Sequence, residues 1–143
     1  MRILTTSTIL MGLALAGCAT NSSDTAMPEM TMASCAPAVF SLFFDTGDAE
    51  LTPSSKQVLD NATAAVSGCN VSYIEIEGHA DSVGTSPANM KLSDDRAMSV
   101  FSMLTDNNIT AELIRIIPLG ETEAVQTETP NQADRKTIVR IIS

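Results

Sequence analysis

From Ala38 to Ile142 the apolar residues switch repeatedly between strand-like and helical spacing, and this alternation constrains the fold more than any other feature. Ala38 to Phe44 (AVFSLFF) is a continuous β-prone run, predicted to be a first strand buried on both faces. Asp45-Thr46-Gly47-Asp48 is turn chemistry. Thr52-Pro53 then opens a helix, with Thr as N-cap and Pro at the first helical position. Val58, Leu59, Ala62, Ala65 and Val66 supply its apolar face, and Gly68 ends it. Val71 to Gly78 predicts a second strand, with Ile74 and Ile76 on one face and Glu75 and Glu77 on a solvated one. A second helix is predicted from Ser93 to about Asn107-Asn108, with Asp94 and Asp95 in its first turn complementing the dipole. Ala97, Val100, Phe101 and Leu104 form its apolar face. Leu113 to Leu119 and Lys136 to Ile142 give two more strands. The order βαβαββ implies an α/β (α+β) sandwich, with helices packed on one sheet.

Ahead of this domain the chain reads as an exported leader and a tether. Arg2 precedes a mostly apolar run from Ile3 to Ala16, softened by Thr5, Thr6, Ser7 and Thr8 and too short to span a bilayer, which needs about 20 apolar residues. It ends in Leu15-Ala16-Gly17-Cys18, which resembles the lipobox of bacterial lipoproteins. Residues 1–17 are therefore expected to be a signal peptide, and Cys18 the residue that carries diacylglycerol and acyl chains such as palmitate. Ordinary cleavage after Ala14-Leu15-Ala16 is the alternative, and would leave Cys18 a bystander. Among such lipoproteins an Asp after the Cys favours the inner membrane; Ala19 here implies the outer membrane. Residues 18–36 comprise the lipidated Cys and a flexible tether rich in Ser, Thr, Asn, Met and Pro, with a typical reach of about 20–25 Å. Residues 37–143 are the folded domain.

Charge and cysteines narrow the function. The 143 residues carry a formal charge of −9, and removing the leader with its Arg2 makes it more acidic still. Neutralising phosphates takes Lys and Arg, so a nucleic-acid partner is excluded, as is a polybasic membrane patch. In an oxidising compartment Cys35 and Cys69 read as a disulfide, contributing about 3–4 kcal/mol in the chain-entropy model. Two buried free thiols are the alternative.

The stretch between second strand and second helix carries the chemistry: Gly78-His79-Ala80-Asp81-Ser82-Val83-Gly84-Thr85, then Asn89, Leu92, Ser93, Arg96 and Ala97. It sets an acid in a loop at a strand's C-terminal end and an arginine three residues into the next helix, near helix-terminal N–H groups that favour an anion. An Asp pairs with an ammonium and an Arg forks onto a carboxylate, so the natural guest is a zwitterionic amino-acid-like group. A structural Asp81–Arg96 ion pair closing the loop is the plainer reading. His79 is expected to be a packed strand-end residue, Asn89 either a ligand contact or a turn residue, and the methionines core filler or tether.

Gly-His-x-Asp-x-x-Gly followed by Asn-x-x-Leu-Ser-x-x-Arg-Ala is similar to the signature of OmpA-like peptidoglycan-binding domains. That family includes the peptidoglycan-associated lipoprotein Pal and the flagellar stator protein MotB. The resemblance covers most of Val39 to Ile142. Phe44-Asp45, Leu51-Thr52-Pro53 and Gly120-Glu121 also match, whereas Asp134-Arg135-Lys136 departs from the family's Asn-Arg-Arg. The resemblance implies two helices on one mixed four-stranded sheet, no cofactor, and non-covalent recognition of diaminopimelate in the peptidoglycan stem peptide. By position, Asp81 would accept its ammonium and Arg96 its carboxylate. Asn89 would contact the ligand or brace the loop, Asp45 and Thr52 would line the other wall, and Arg135 would add a carboxylate contact. The lipobox and short tether place the chain nearer Pal, as a tether between outer membrane and wall.

Two rival functions are weighed against this. His79 and Asp81 could be metal ligands in an enzyme, but a catalytic zinc usually needs three protein ligands. The chain has 1 His, and no Ser/His/Asp or Cys/His arrangement is apparent, so no metal and no catalysis are expected. A Tol-Pal-type interaction module, binding Tol-system proteins with weak or no hold on peptidoglycan, is the other.

Overall fold

The computed structural model describes residues 35–143. The leader, Cys18 and nearly all of the tether lie outside the described residues. Strand β1 (Ala38–Phe43), helix α1 (Pro53–Val66), β2 (Tyr73–Gly78), α2 (Ser86–Asp106), β3 (Leu113–Pro118) and β4 (Lys136–Ile142) follow in chain order, with a short 3₁₀ turn at Gln132–Asp134. The strands form one mixed sheet in the order β1-β4-β2-β3. β4 runs antiparallel to both β1 and β2, while β2 and β3 are parallel. The βαβαββ sandwich anticipated from the alternation is the fold observed.

The period of each strand decides which face carries the core. Ile74 and Ile76 of β2, Val139 and Ile141 of β4 and Leu42 of β1 are all fully buried. Leu59 and Val66 of α1 and Ala97, Val100 and Leu104 of α2 close over them, each at most 2 % exposed. β1 corrects the sequence reading. It is an edge strand with helices over one face only, so Val39 is 66 % and Phe43 40 % exposed. A β-prone run does not distinguish an edge from a centre. The open sheet face also differs from the solvated strand face expected, because Glu75 and Glu77 are paired. Arg140 reaches them at 3.0 and 2.7 Å, and Arg115 lies 3.5 Å from Glu75. The Tyr73 hydroxyl, 2.5 Å away, holds the Glu75 carboxyl below its ordinary pKa, with Arg140 and Arg115 adding to the effect.

α1 begins as expected: Thr52 is the N-cap and accepts from Ser55 N–H at 3.2 Å. Gly68, at φ +81°, follows its last turn. Its buried stripe is Ser55, Leu59, Thr63 and Val66, so Val58 and Ala65 of the predicted apolar face point outward instead. The larger correction concerns α2, which starts at Ser86 rather than Ser93, behind Thr85 and with Pro87 in its first turn. Asp94 and Asp95 therefore sit in mid-helix, where Asp95 pairs with Lys91 four residues earlier at 2.6 Å. Of the methionines, Met103 packs against the core while Met90 and Met98 are each 44 % exposed.

Two features lock the elements together. Cys35 and Cys69 form a disulfide with a Cα–Cα distance of 5.6 Å, fastening the approach to β1 to the end of α1. At the other end of the sheet α2 comes very close to β2: a Cβ on Gly78 would lie 2.0 Å from the Ser93 carbonyl oxygen. Only glycine permits that approach. Among the described residues no helix is long and apolar enough to cross a membrane.

Candidate functional site

The close approach at Gly78 brings the first half of α2 under the loops that leave the sheet. Three loops meet there, and backbone bonds join them. His79 N–H donates to Lys136 O at 2.9 Å, Ala80 N–H to Gly120 O at 2.8 Å, and Phe44 N–H to Arg135 O at 3.0 Å. Ser82 Oγ donates to Thr127 O at 2.9 Å and accepts from Thr127 N–H at 3.0 Å, tying the 79–85 loop to the 120s. Ser86 Oγ bonds Glu121 at the same seam.

Arg96 is the centre of this cluster. It is fully buried, its ring contact is Phe44 at 5.2 Å, and its donors run to three main-chain carbonyls: Nε to Asp48 at 2.8 Å, one terminal nitrogen to His79 at 2.8 Å, the other to Asp45 at 3.2 Å. One side chain thus pins the first loop to the end of β2. Burial lowers its pKa to about 10, against the favourable charges of Asp81 and Asp48, so it stays cationic at neutral pH. Because α2 is longer than expected, Arg96 lies ten residues beyond the start of α2, well away from that helix's N-terminal N–H groups.

Asp81 sits in the loop above, 7 % exposed, with Oδ1 accepting from Val83 N–H at 3.2 Å. Its charged partner within 4 Å is Arg135 rather than Arg96: Oδ2 lies 3.4 Å from the Arg135 guanidinium, and each side chain shows 9 % of its surface. Arg135 also donates to Phe44 O at 3.3 Å and to Gln132 Oε1. Asn89, 4 % exposed in the first turn of α2, packs beneath Gly84, and its Nδ2 has no acceptor among the described residues. Asp45 and Thr52 line an adjoining open recess of about 190 Å³ with Asp48, Glu50 and Lys56. There Asp45 is exposed, while the Thr52 hydroxyl is occupied as the α1 cap. The residues named from sequence therefore fall into two neighbouring groups. Asp81, Arg96 and Arg135 gather at the loops, Asp45 and Thr52 line the recess, and Arg96 bonds across to the first loop.

Three supporting residues went unassigned in the sequence. Ser93 Oγ accepts from Gly120 N–H at 2.9 Å and donates to Met90 O at 2.8 Å. Asp134, read as a departure from pattern, accepts from Val125 N–H at 3.0 Å and Asn131 Nδ2 at 2.8 Å, fixing the late loop. Ser55 covers the outward groups of Phe43, donating to its O at 2.7 Å and accepting from its N–H at 3.0 Å. The usable signal was helical spacing: Asn89, Ser93, Arg96, Val100 and Leu104 share the buried face of α2. His79 is packed as expected at 3 % exposure, its ring 3.9 Å from Glu123, and burial lowers its pKa. Among the described residues no three His, Cys, Asp or Glu side chains converge as a metal site.

Residues 43–137 match the OmpA family, and the chain belongs to that family. It is 27 % identical over 149 residues to the outer-membrane lipoprotein YfiB of Pseudomonas aeruginosa, covering 95 % of this chain and 84 % of that one. It is 37 % identical over 67 residues to outer membrane protein A of Bordetella avium, a match that takes in 47 % of this chain and only 34 % of that protein. Among solved structures, the OmpA-like domain of FopA1 from Francisella tularensis superposes with a TM-score of 0.64 at 17 % identity, covering 73 % of this chain and 71 % of that one. The peptidoglycan-associated lipoprotein of Burkholderia pseudomallei gives 0.59 at 19 %, covering 71 % and 88 %. At such identities these superpositions establish the fold.

Proposed function

We propose that the loop cluster binds peptidoglycan non-covalently through the diaminopimelate of the stem peptide, and that lipid on Cys18 ties the domain to the outer membrane. The chain then serves as a tether between membrane and wall. Asp81 accepts the ligand's ammonium. The carboxylate is drawn to Arg96, which commits three of its five N–H groups to carbonyls, and to Arg135 beside it. Asn89 braces the loop or donates to the ligand, and Asp45 and Thr52 shape the neighbouring wall. The observation that carries this reading is a carboxylate and two guanidinium groups, all nearly buried, gathered at the loop end of an OmpA-family domain. Buried charges of both signs at a surface loop suit a guest that brings its own two charges. The relatives support the setting: one is named as an outer-membrane lipoprotein and a structural neighbour as peptidoglycan-associated.

Sedimentation of the full chain in detergent with purified peptidoglycan tests this. The chain is expected in the pellet, with free diaminopimelate releasing it. A charge-assisted hydrogen bond is worth about 1.5–3 kcal/mol, so Asp81→Ala should weaken binding about tenfold or more with the fold intact by circular dichroism. A wild-type chain that stays in the supernatant contradicts the reading and turns attention to protein partners.

A further inference from the structure

The two edges of the sheet are finished differently. At the β1 edge, Ser55 Oγ caps the outward N–H and C=O of Phe43 at 3.0 and 2.7 Å. β3 is the other edge. Leu113 N–H donates to Ser72 O at 3.1 Å and Leu119 N–H to Gly78 O at 2.9 Å. Alternate residues therefore turn their main chain to β2, and the N–H and C=O of Ile114 and Ile116 turn outward. Among the described residues nothing bonds these groups. Exposed edges are normally blunted by lysines, prolines or bulges. In β3 the one charge is Arg115, the proline closes the strand, and no residue is fully buried. The apolar border continues onto the helix layer. Ser99, Ser102, Met103 and Asp106 face the recess against α1, so helical spacing turns Met98 and Phe101 to the opposite flank of α2, beside β3.

We propose that β3 pairs antiparallel with β3 of a second copy, about a two-fold axis at Ile116, joining two four-stranded sheets into one. Pro118 and Arg115 set this register. Centred on Ile116, the two copies of that residue exchange hydrogen bonds, and Ile114 N–H donates to Pro118 O, so Pro118 needs only to accept. On the open sheet face Arg115 then stands opposite Ile117 of the second copy. One row runs Glu77 and Ile117, then Arg115, Glu75 and Arg140 of the second copy, so charges alternate in sign across the junction. Centred on Arg115, the same strands would set two guanidinium groups face to face, which is destabilising. A second copy thus supplies both the apolar strand and the complementary charges. Six residues a side fall short of the roughly 20–30 of a standard interface, so the dimer is weak in solution. Under the function proposed above, lipid on Cys18 confines copies to one membrane surface, and two loop clusters in one assembly hold the wall by avidity.

Sedimentation velocity of the full chain in density-matched detergent, with micelles in excess, and amide hydrogen exchange by NMR test this without any wall ligand. A monomer–dimer equilibrium is expected. The Ile114 and Ile116 amides should slow at least about threefold from dilute to concentrated samples, while Arg115 and Ile117, turned to β2, stay unchanged. Ile117→Glu sets an acid opposite Arg115 of the second copy and should tighten the dimer about threefold or more, while Ile117→Lys should weaken it by a similar factor. Glu77 of the same chain lies beside position 117 and favours lysine there, so an effect on domain stability runs the other way. A chain that stays monomeric at every concentration overturns the proposal and leaves the edge to a strand of another protein. A dimer that leaves the Ile114 and Ile116 amides unprotected, or that tightens with lysine rather than glutamate, overturns it as well. Each of these failures leaves the wall-binding reading standing, since that reading fails only if the chain does not sediment with peptidoglycan.

Discussion

The two halves of α2 obey one packing rule with opposite chemistry. From Ala97 onward the buried positions are Ala97, Val100 and Leu104, and the helix contributes to an ordinary core. Before that, positions at the same spacing are Asn89, Ser93 and Arg96, all at most 4 % exposed. The apolar half needs only to be covered. The polar half has to be satisfied atom by atom: Ser93 holds Gly120, and Arg96 holds Asp45, Asp48 and His79, while Asn89 Nδ2 is left without an acceptor among the described residues. Its partners beyond α2 are loop residues, so a helix face that elsewhere makes a core here fixes the geometry of a site.

The sharpest way to break this contrast is at the point where the polar half touches the sheet. Gly78→Ala places a methyl against the Ser93 backbone, which cannot rotate away, so α2 must shift. A loss of about 3 kcal/mol or more in denaturant unfolding is expected, together with loss of wall binding.

Leu104→Ala and Arg96→Met separate the two halves. Leu104→Ala should cost about 2–5 kcal/mol through its cavity, yet leave binding unchanged wherever the chain is folded. Arg96→Met leaves three carbonyls without donors, which should cost about 2–4 kcal/mol and abolish binding. It should also speed hydrogen exchange in the 45–48 and 79–85 loops before the rest of the domain. Equal effects of the two substitutions on binding would erase the distinction drawn here.

The smallest expected effect concerns His79. Burial depresses its folded pKa below the unfolded value of about 6.5, with Lys136 opposing and Glu123, Glu77 and Asp134 favouring the charge. The unfolded chain therefore binds the proton first. The contribution is intact above about pH 6.5 and is lost as pH falls toward the folded value. As this is the single histidine of the chain, one NMR titration reads it, and His79→Asn should flatten the stability profile in that window.

How much of this was legible in the sequence follows from the same contrast. Strands with a period of two and a helix opened by Thr52-Pro53 were readable, because hydrophobic spacing and capping act locally. The start of α2 was not, since an apolar-period reading stops where Asn89 and Ser93 replace hydrophobes on the buried face. Pro87 one residue into the helix was the available signal. Asp81, Arg96 and Arg135 were named as site residues, but their pairing depends on contacts 54 residues apart, which no local pattern reports. The edge position of β1 likewise depends on strand order.

The most direct measurement of the central claim is a titration of the isotope-labelled full chain in detergent with diaminopimelate, followed on backbone amides and arginine Nε–H signals. Shifts are expected at Asp81, at the side chains of Arg96 and Arg135 and at Gly120, with Leu104 and the Cys35–Cys69 end unmoved. Unchanged spectra at saturating ligand, or shifts confined to the open sheet face around Glu75 and Arg140, would contradict a binding site built on the polar half of α2.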